Sequence, residues 1–343
     1  MSLRTIAEQA GVSPSTVSLA LRGSQKIPAA TRQRVAQIAA QLGYRPNAKV
    51  TELMSHVRLS RSGGVTASIG VVSFFAEARP WETSPALRRA YDAMARRAEE
   101  LGYRLEPIGL RTPGLTIRRV CGILDARGIE GLICLGSPDQ REVFPPELDH
   151  YAVVTQGPSV AGSLHRVLTH AAGDMIRTLD AVFALGYRRP ALAIGPEENV
   201  PGRDAYLGAY LGWCHKKWNR AAPVPILKLG GVPGRDTAAW LRKHGPDVVI
   251  AVHDTAGIVE LGVHLQRQGV RWPADVGLAA IAPILEGTGL SGMQENHPVL
   301  GQWTVEMLVE RIHHHELGMP AIPRLQLVEG QWLKGGSLRL SLT

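Results

Sequence analysis

From residue 68 onward the chain alternates between short apolar runs and longer amphipathic ones. SIGVVSF precedes PALRRAYDAMARRAEELGY, RLEPIGL precedes a helix-like stretch near Ile117–Arg127, and GLICLG and YAVVTQ precede another from about Gly173 to Leu185. A second set follows: PALAIG, a helix near Asp204–Trp218, PILKLG, a helix near Thr237–Lys243, VVIAVH and a helix near Gly257–Gln268. VGLAAIA and LGQWTVEMLVERIHHHELG close the series. Buried strands alternating with helices predict parallel sheets covered on both faces. Two such sets predict two lobes with a cleft at the carboxyl ends of the strands.

The chain has 343 residues, enough for two or three domains. Its charge is unevenly placed. Residues 1–61 hold nine basic and two acidic side chains, a surplus of seven, against a net charge of +8 for the whole chain. The first sixth of the sequence therefore carries the charge that would face a polyanion. A solvated basic arm would be less apolar than this segment is. The start, MSLRTIAEQAG, lacks an apolar signal core, and no apolar run is long enough to span a bilayer. The expectation is a cytoplasmic protein without a membrane partner. Cys121, Cys134 and Cys214 are far apart and odd in number, which fits reduced thiols better than a disulfide framework or a zinc site.

Three helices are predicted in the basic segment. The first spans roughly Leu3–Ala10 and ends at Gly11, which supplies a tight turn. In GVSPSTVSLALRG, Ser13 is a good N-cap and Pro14 a good first helical residue for a second helix to about Leu21. The third runs from about Ala29 to Leu42. On the second helix Val17, Ala20 and Leu21 form an inward face, while Ser15, Ser18, Leu19 and Arg22 share the other. Two short helices joined by a tight turn containing glycine make a helix-turn-helix, whose second helix enters the major groove. A helical hairpin within a larger bundle is the alternative, but it leaves the concentrated charge unexplained.

The residues IAEQAGVSPSTVSLALRG, TRQRV, LGYRPN and Leu53 resemble the DNA-binding headpiece and hinge of the lactose-repressor (LacI/GalR) family of bacterial transcription regulators. That resemblance implies an all-α helix-turn-helix headpiece over 1–46 and a hinge helix and linker over 47–64. It also implies an α/β core over 65–343, two-lobed like the periplasmic sugar-binding proteins. The hinge helix is implied to form when two subunits meet on the operator. Leu53 stands where the family wedges a leucine into the minor groove, kinking the duplex; a plain contact between two hinge helices is the alternative. Pro14, Ser15 and Leu19 occupy the positions that set base preference. Leu19 cannot make a bidentate bond to guanine but can pack on a thymine methyl. Ser13, Thr16, Ser18, Arg22, Thr31 and Asn47 are the remaining implied DNA-binding positions, with Thr16, Ser18, Arg22 and Thr31 read as phosphate or mixed contacts.

Over the core the resemblance rests on FALGYRRPALAIG, RQGVRWPADVGLAAI and PVLGQ. It implies lobe crossings near 186, 292 and 319, giving lobe one about 65–186 and 293–318, and lobe two about 187–292 and 319–343. The cleft departs from the family's sugar-binding pattern. Ala172, Ala205 and Ala282 stand where that pattern has an acid, an arginine and an aspartate, and His253-Asp254 where it has Asn-Asp. Unmet buried hydroxyls are costly, so the usual sugar cage is largely absent. Candidate ligand-binding residues are Trp81, Glu82, His170, Arg203, His253, Asp254, Glu295 and His297, with Asn296 between the last two. Asp254 shapes the cleft in the family more often than it touches ligand. Each also reads as a cleft-rim or inter-lobe residue.

Enzyme motifs are missing. The sequence contains no G-x-x-x-x-G-K-[ST] phosphate loop and no G-x-S-x-G elbow, and no G-x-G-x-x-G follows a strand. His313, His314 and His315 are adjacent on a helix, about 100° apart, and so are poorly placed to share a metal. No catalytic residue, metal or cofactor is implied. The expectation is a homodimeric DNA-binding repressor of a near-palindromic operator, answering to a small molecule, sugar-related or otherwise. A regulator whose cleft has lost ligand binding is the second reading, and a solute-binding protein or enzyme a remote third. Leu53→Ala should weaken binding to the operator much more than binding to random duplex in a paired titration; equal losses would exclude a minor-groove wedge.

Overall fold

A computed structural model describes residues 3–21, 27–44, 67–137, 142–195, 202–218, 224–229 and 237–339. The amino-terminal part is three helices, α1 (Leu3–Ala10), α2 (Pro14–Leu21) and α3 (Ala29–Gln41). Ile6, Ala7, Ala10, Val17, Ala20, Val35 and Ala39 form its core, with Leu21, Ile38, Leu42 and Tyr44 packed around them. The turn after α1 needs Gly11, whose φ is +64°. The expected hinge segment, with Asn47 and Leu53, lies outside the described residues, as does Arg22.

The rest builds two sheets. The first has strand order β11-β5-β4-β3-β1-β2, made of β1 (Ala67–Ser73), β2 (Tyr103–Gly109), β3 (Gly131–Cys134), β4 (Ala152–Gln156), β5 (His165–Thr169) and β11 (Leu325–Val328). The second runs β12-β10-β9-β8-β6-β7, made of β6 (Pro190–Ile194), β7 (Leu227–Lys228), β8 (Val248–Val252), β9 (Gly277–Ala282), β10 (Ser291–Gln294) and β12 (Gln331–Leu333). All recorded pairings are parallel except β10 with β12. Register brings the carboxyl ends level: Val72 pairs with Cys134 and Cys134 with Thr155, while Ile194 pairs with Val252 and Val252 with Ile281.

Helices cover both faces of each sheet. In lobe one, α4 (Pro85–Glu100) and α10 (His297–His314) bury Ala90, Met94, Leu300 and Leu308 on one face, and α5 (Ile117–Ala126) buries Val120 and Leu124 on the other. In lobe two, α6 (Ala171–Ala184) and α7 (Arg203–Trp218) pack together over one face. There α8 (Thr237–His244) and α9 (Thr255–Arg267) cover the opposite one. Cys134 and Cys214 are buried, Cys121 is half-buried, and all three are free thiols. No helix among the described residues is long and apolar enough to cross a membrane.

The expected crossings at 186, 292 and 319 are displaced to the junctions 169–171, 294–297 and 328–331. Helix α6 buries Met175, Leu179 and Val182 among residues of β6, β8 and β9, so it belongs to lobe two. Strand β11 pairs with β5 from Leu325↔Arg166 to Val328↔Thr169, so the chain stays with lobe one past 319. Strands β5, β10, β11 and β12, absent from the sequence-based pattern, make these junctions.

Gly301 explains how α10 lies so close to α4: a Cβ there would overlap the carbonyl oxygen of Ala90. Alanine in a helix interior ordinarily gains about 1 kcal/mol over glycine, but overlap with backbone cannot be relieved by a rotamer change. Gly301→Ala should therefore lower the stability of lobe one by about 1–3 kcal/mol in urea denaturation; a neutral or stabilising change would contradict this packing.

Candidate DNA-binding surface and effector cleft

The start of α2 is shaped by hydroxyl groups. Ser13 Oγ accepts from the Thr16 backbone N–H at 3.1 Å and lies 2.7 Å from Ser15 Oγ and 2.8 Å from Thr16 Oγ1. This caps the helix and leaves Pro14 and Ser15 exposed at its first turn. Thr16, Ser18 and Leu19 are half-buried, as is Thr31 at the start of α3, while Val17 and Ala20 point into the core. The outward face is thus small and partly apolar, able to approach base edges closely. No acidic residue occurs between Glu8 and Glu52, so nothing on α2 or α3 repels phosphate. Arg32 is held locally by donating through Nη1 to the Ile27 carbonyl at 2.6 Å.

The candidate cleft residues fall into separate groups. Trp81 is buried, in a short turn (Pro80–Glu82), and stacks on Tyr91 of α4 at 3.8 Å with planes 4° apart. One of its faces is therefore filled by its own lobe. Glu82 is exposed and pairs with Arg79 at 3.3 Å. His170 precedes α6, folds over Gly173 and places Nδ1 3.8 Å from a Glu329 oxygen. Asp254 caps α9 by accepting from the Gly257 N–H at 2.7 Å, with the His253 ring folded over the same glycine. Arg203 opens α7 half-buried, and its Nε has no hydrogen-bond partner among the described residues. Ala172 is half-buried, Ala205 exposed and Ala282 buried.

Glu295 and His297 form the tightest group. His297 Nε2 lies 3.0 Å from Glu295 Oε2, and Tyr206 of α7 donates its hydroxyl to Glu295 Oε1 at 3.0 Å. Burial pushes the Tyr206 pKa well above its ordinary value, reinforced by the Glu295 charge, so the phenol keeps its proton. Burial alone would raise Glu295. The hydrogen bond and charge of His297, with the Tyr206 bond, outweigh it and hold this carboxyl below the usual glutamate range. Sequence reasoning placed Glu295 and His297 but missed Tyr206. Its neighbour Ala205 drew attention as the altered position, and a tyrosine on an amphipathic helix gives no signal apart from core packing.

Residues 2–47 match the family model "Bacterial regulatory proteins, lacI family". The amino-terminal headpiece is thus of the LacI type. It is 26% identical over 328 residues to the HTH-type transcriptional regulator PtxS of Pseudomonas plecoglossicida, across 92% of this chain and 91% of that one. Among solved structures it resembles the transcriptional regulator CelR–cellobiose complex, with TM-score 0.59, 20% identity, and 98% and 99% of the two chains covered. It also resembles the lac repressor dimer bound to operator and the anti-inducer ONPF, with TM-score 0.58, 18% identity and 99% of each chain. These likenesses place the helix-turn-helix headpiece and the two-lobed periplasmic-binding-protein-like core in one fold.

The Glu295 environment predicts an acid limb. A glutamate depressed on folding stabilises the protein above about pH 4.3, the ordinary glutamate value, and loses that contribution as pH falls through its lower folded pKa. Glu295→Gln should therefore flatten the fall in denaturant-derived stability below about pH 4. An unchanged slope would mean that the carboxylate is not held by His297 and Tyr206.

Proposed function

We propose that this DNA-binding regulator is a cytoplasmic homodimeric repressor whose hold on DNA is set by a small molecule bound between its lobes. The observation that carries this reading is the union, in one chain, of a LacI-type headpiece with two largely parallel sheets whose parallel strands end level in each lobe. Pro14, Ser15 and Leu19 read the half-site, Ser13, Thr16, Ser18, Arg22, Thr31 and Asn47 position the headpiece, and Leu53 wedges the centre of a near-palindrome. The chain acts by binding and not by catalysis. Ligand entry alters the angle between lobes, and by linkage the affinity for DNA.

The bound cellobiose of CelR and the ONPF of the lac repressor support a sugar-related effector. Ala172, Ala205 and Ala282 argue that such a ligand is not held by the usual polar cage. The same alanines favour a second reading, a DNA-binding regulator whose cleft no longer takes small molecules.

The test is selection of bound genomic fragments by the purified full-length chain, then a thermal-shift screen of sugars, sugar acids and nucleobases. The expected result is a short near-palindrome with a fixed centre, and one ligand that raises the melting temperature by several degrees and changes affinity for that duplex. A motif without any responding ligand would favour the second reading. Binding without a motif would mean attachment by charge alone and would overturn the repressor reading.

A further inference from the structure

We infer that Asp174 and Tyr206 are positioning residues that clasp the three crossing segments together and so set the angle at which the lobes rest. This rests on the cleft being the regulated site, but its test does not need a ligand.

The first crossing, Thr169–Ala171, and the third, Val328–Gln331, touch directly: the His170 N–H donates to the Val328 carbonyl at 2.8 Å. The third crossing is then seized from lobe two. Asp174, in the first turn of α6 and fully buried, accepts through Oδ1 from the Gly330 N–H at 3.0 Å and from Arg177 Nη2 at 2.6 Å. Arg177 also reaches the Gly330 carbonyl at 3.2 Å and Glu329 at 2.9 Å. Gly330 fits because it lacks a side chain: a Cβ there would come within 2.8 Å of Asp174 Oδ2 and of the Gln294 carbonyl at the second crossing. Tyr206 ties the second crossing to lobe two, its hydroxyl donated to Glu295 at 3.0 Å.

A mere helix-capping role for Asp174 would engage its own helix. Here one carboxylate oxygen is shared between its helix partner and the backbone of a segment more than 150 residues away. Burial raises the Asp174 pKa, and Arg177 and the Gly330 N–H only partly offset that. A desolvated carboxylate is costly to keep and destabilising to leave unpaired. Among the described residues the lobes share no sheet, so the bonds at the crossings bear directly on their angle. The exposed Arg89–Glu286 pair, at 2.6 Å, also spans the lobes but is screened by solvent.

The test is hydrogen–deuterium exchange of the full-length chain, read by mass spectrometry without ligand. Asp174→Ala should speed exchange of peptides covering 328–331 roughly tenfold, leaving β8 and α10 at wild-type rates. Asp174→Asn keeps an acceptor for Gly330 and should restore most of the protection. Tyr206→Phe should speed the segment at 294–297 instead. If Asp174→Ala does not fold, Arg177→Met removes a partner that is itself 37% exposed and should loosen 328–331 alone. Unchanged exchange at the crossings, or acceleration spread evenly over lobe two, overturns the clasp. A cleft that binds nothing would leave the clasp standing, so the two readings fail separately.

Discussion

Two sheets that share no ladder must still be joined by backbone, and the chain makes that passage three times. Peptide groups leaving a sheet at such a junction lose their ladder partners and need others. Here the third passage supplies an acceptor to the first, at Val328, and receives one from the side chain of Asp174. Within each lobe, strand after strand is locked by register and covered on both faces. Between the lobes, the backbone is held by a few specific bonds. Opening free energies differ across a structure in the same sense, smallest where apolar contacts are few. A two-lobed regulator needs stiff lobes and a compliant junction, and this division of interactions provides both.

The same economy governs the DNA-binding end. Three helices of 8, 8 and 13 residues enclose a core made largely of alanine, valine and isoleucine. Such a small unit buries little surface and is marginal on its own. Its charge surplus gives attraction to any duplex, and in the proposed reading direct base contacts come from the exposed start of α2. Proline, serine and leucine are modest readers of bases, since none offers a bidentate bond. Discrimination therefore shifts toward duplex shape and deformability, the property that a minor-groove wedge at Leu53 would sense.

The helices of the headpiece and most of the core strands were legible in the sequence because they carry strong local signals: Gly11 and Ser13-Pro14 at a turn, Val-Ile-Leu runs in β3, β4, β6 and β8. Four strands were not. HRVLT, SGMQ, LQLV and QWL are short, and three of them interleave polar residues with apolar ones. Their pairing is decided by long-range partners, which local pattern does not report. These strands flank the crossings, which lie up to about one helix from the positions the resemblance implied. At the candidate site, Glu295 and His297 were named as replacements where the sequence departs from the family's sugar-binding pattern, and Asp254 was read as a shaping residue. The buried roles of Trp81 and Tyr206 depend on Tyr91 and Glu295, brought near only by folding.

The alanines of the cleft bear on what kind of ligand could work the junction. A ligand shifts a two-state equilibrium only by the difference in its affinity for the two states. Each ligand hydroxyl buried without a partner costs about 1–3 kcal/mol, so in the proposed reading alanine at 172, 205 and 282 gives a sugar ring few ways to gain on closure. The remaining polar capacity includes Arg203, opening α7, and the Glu295–His297 pair on the second crossing. Glu295 already bonds Tyr206 and His297, so a ligand group that engages it competes with, or adds to, the bonds that tether that crossing. Affinity and lobe angle would then be read through the same side chain, which couples binding to shape without a separate relay.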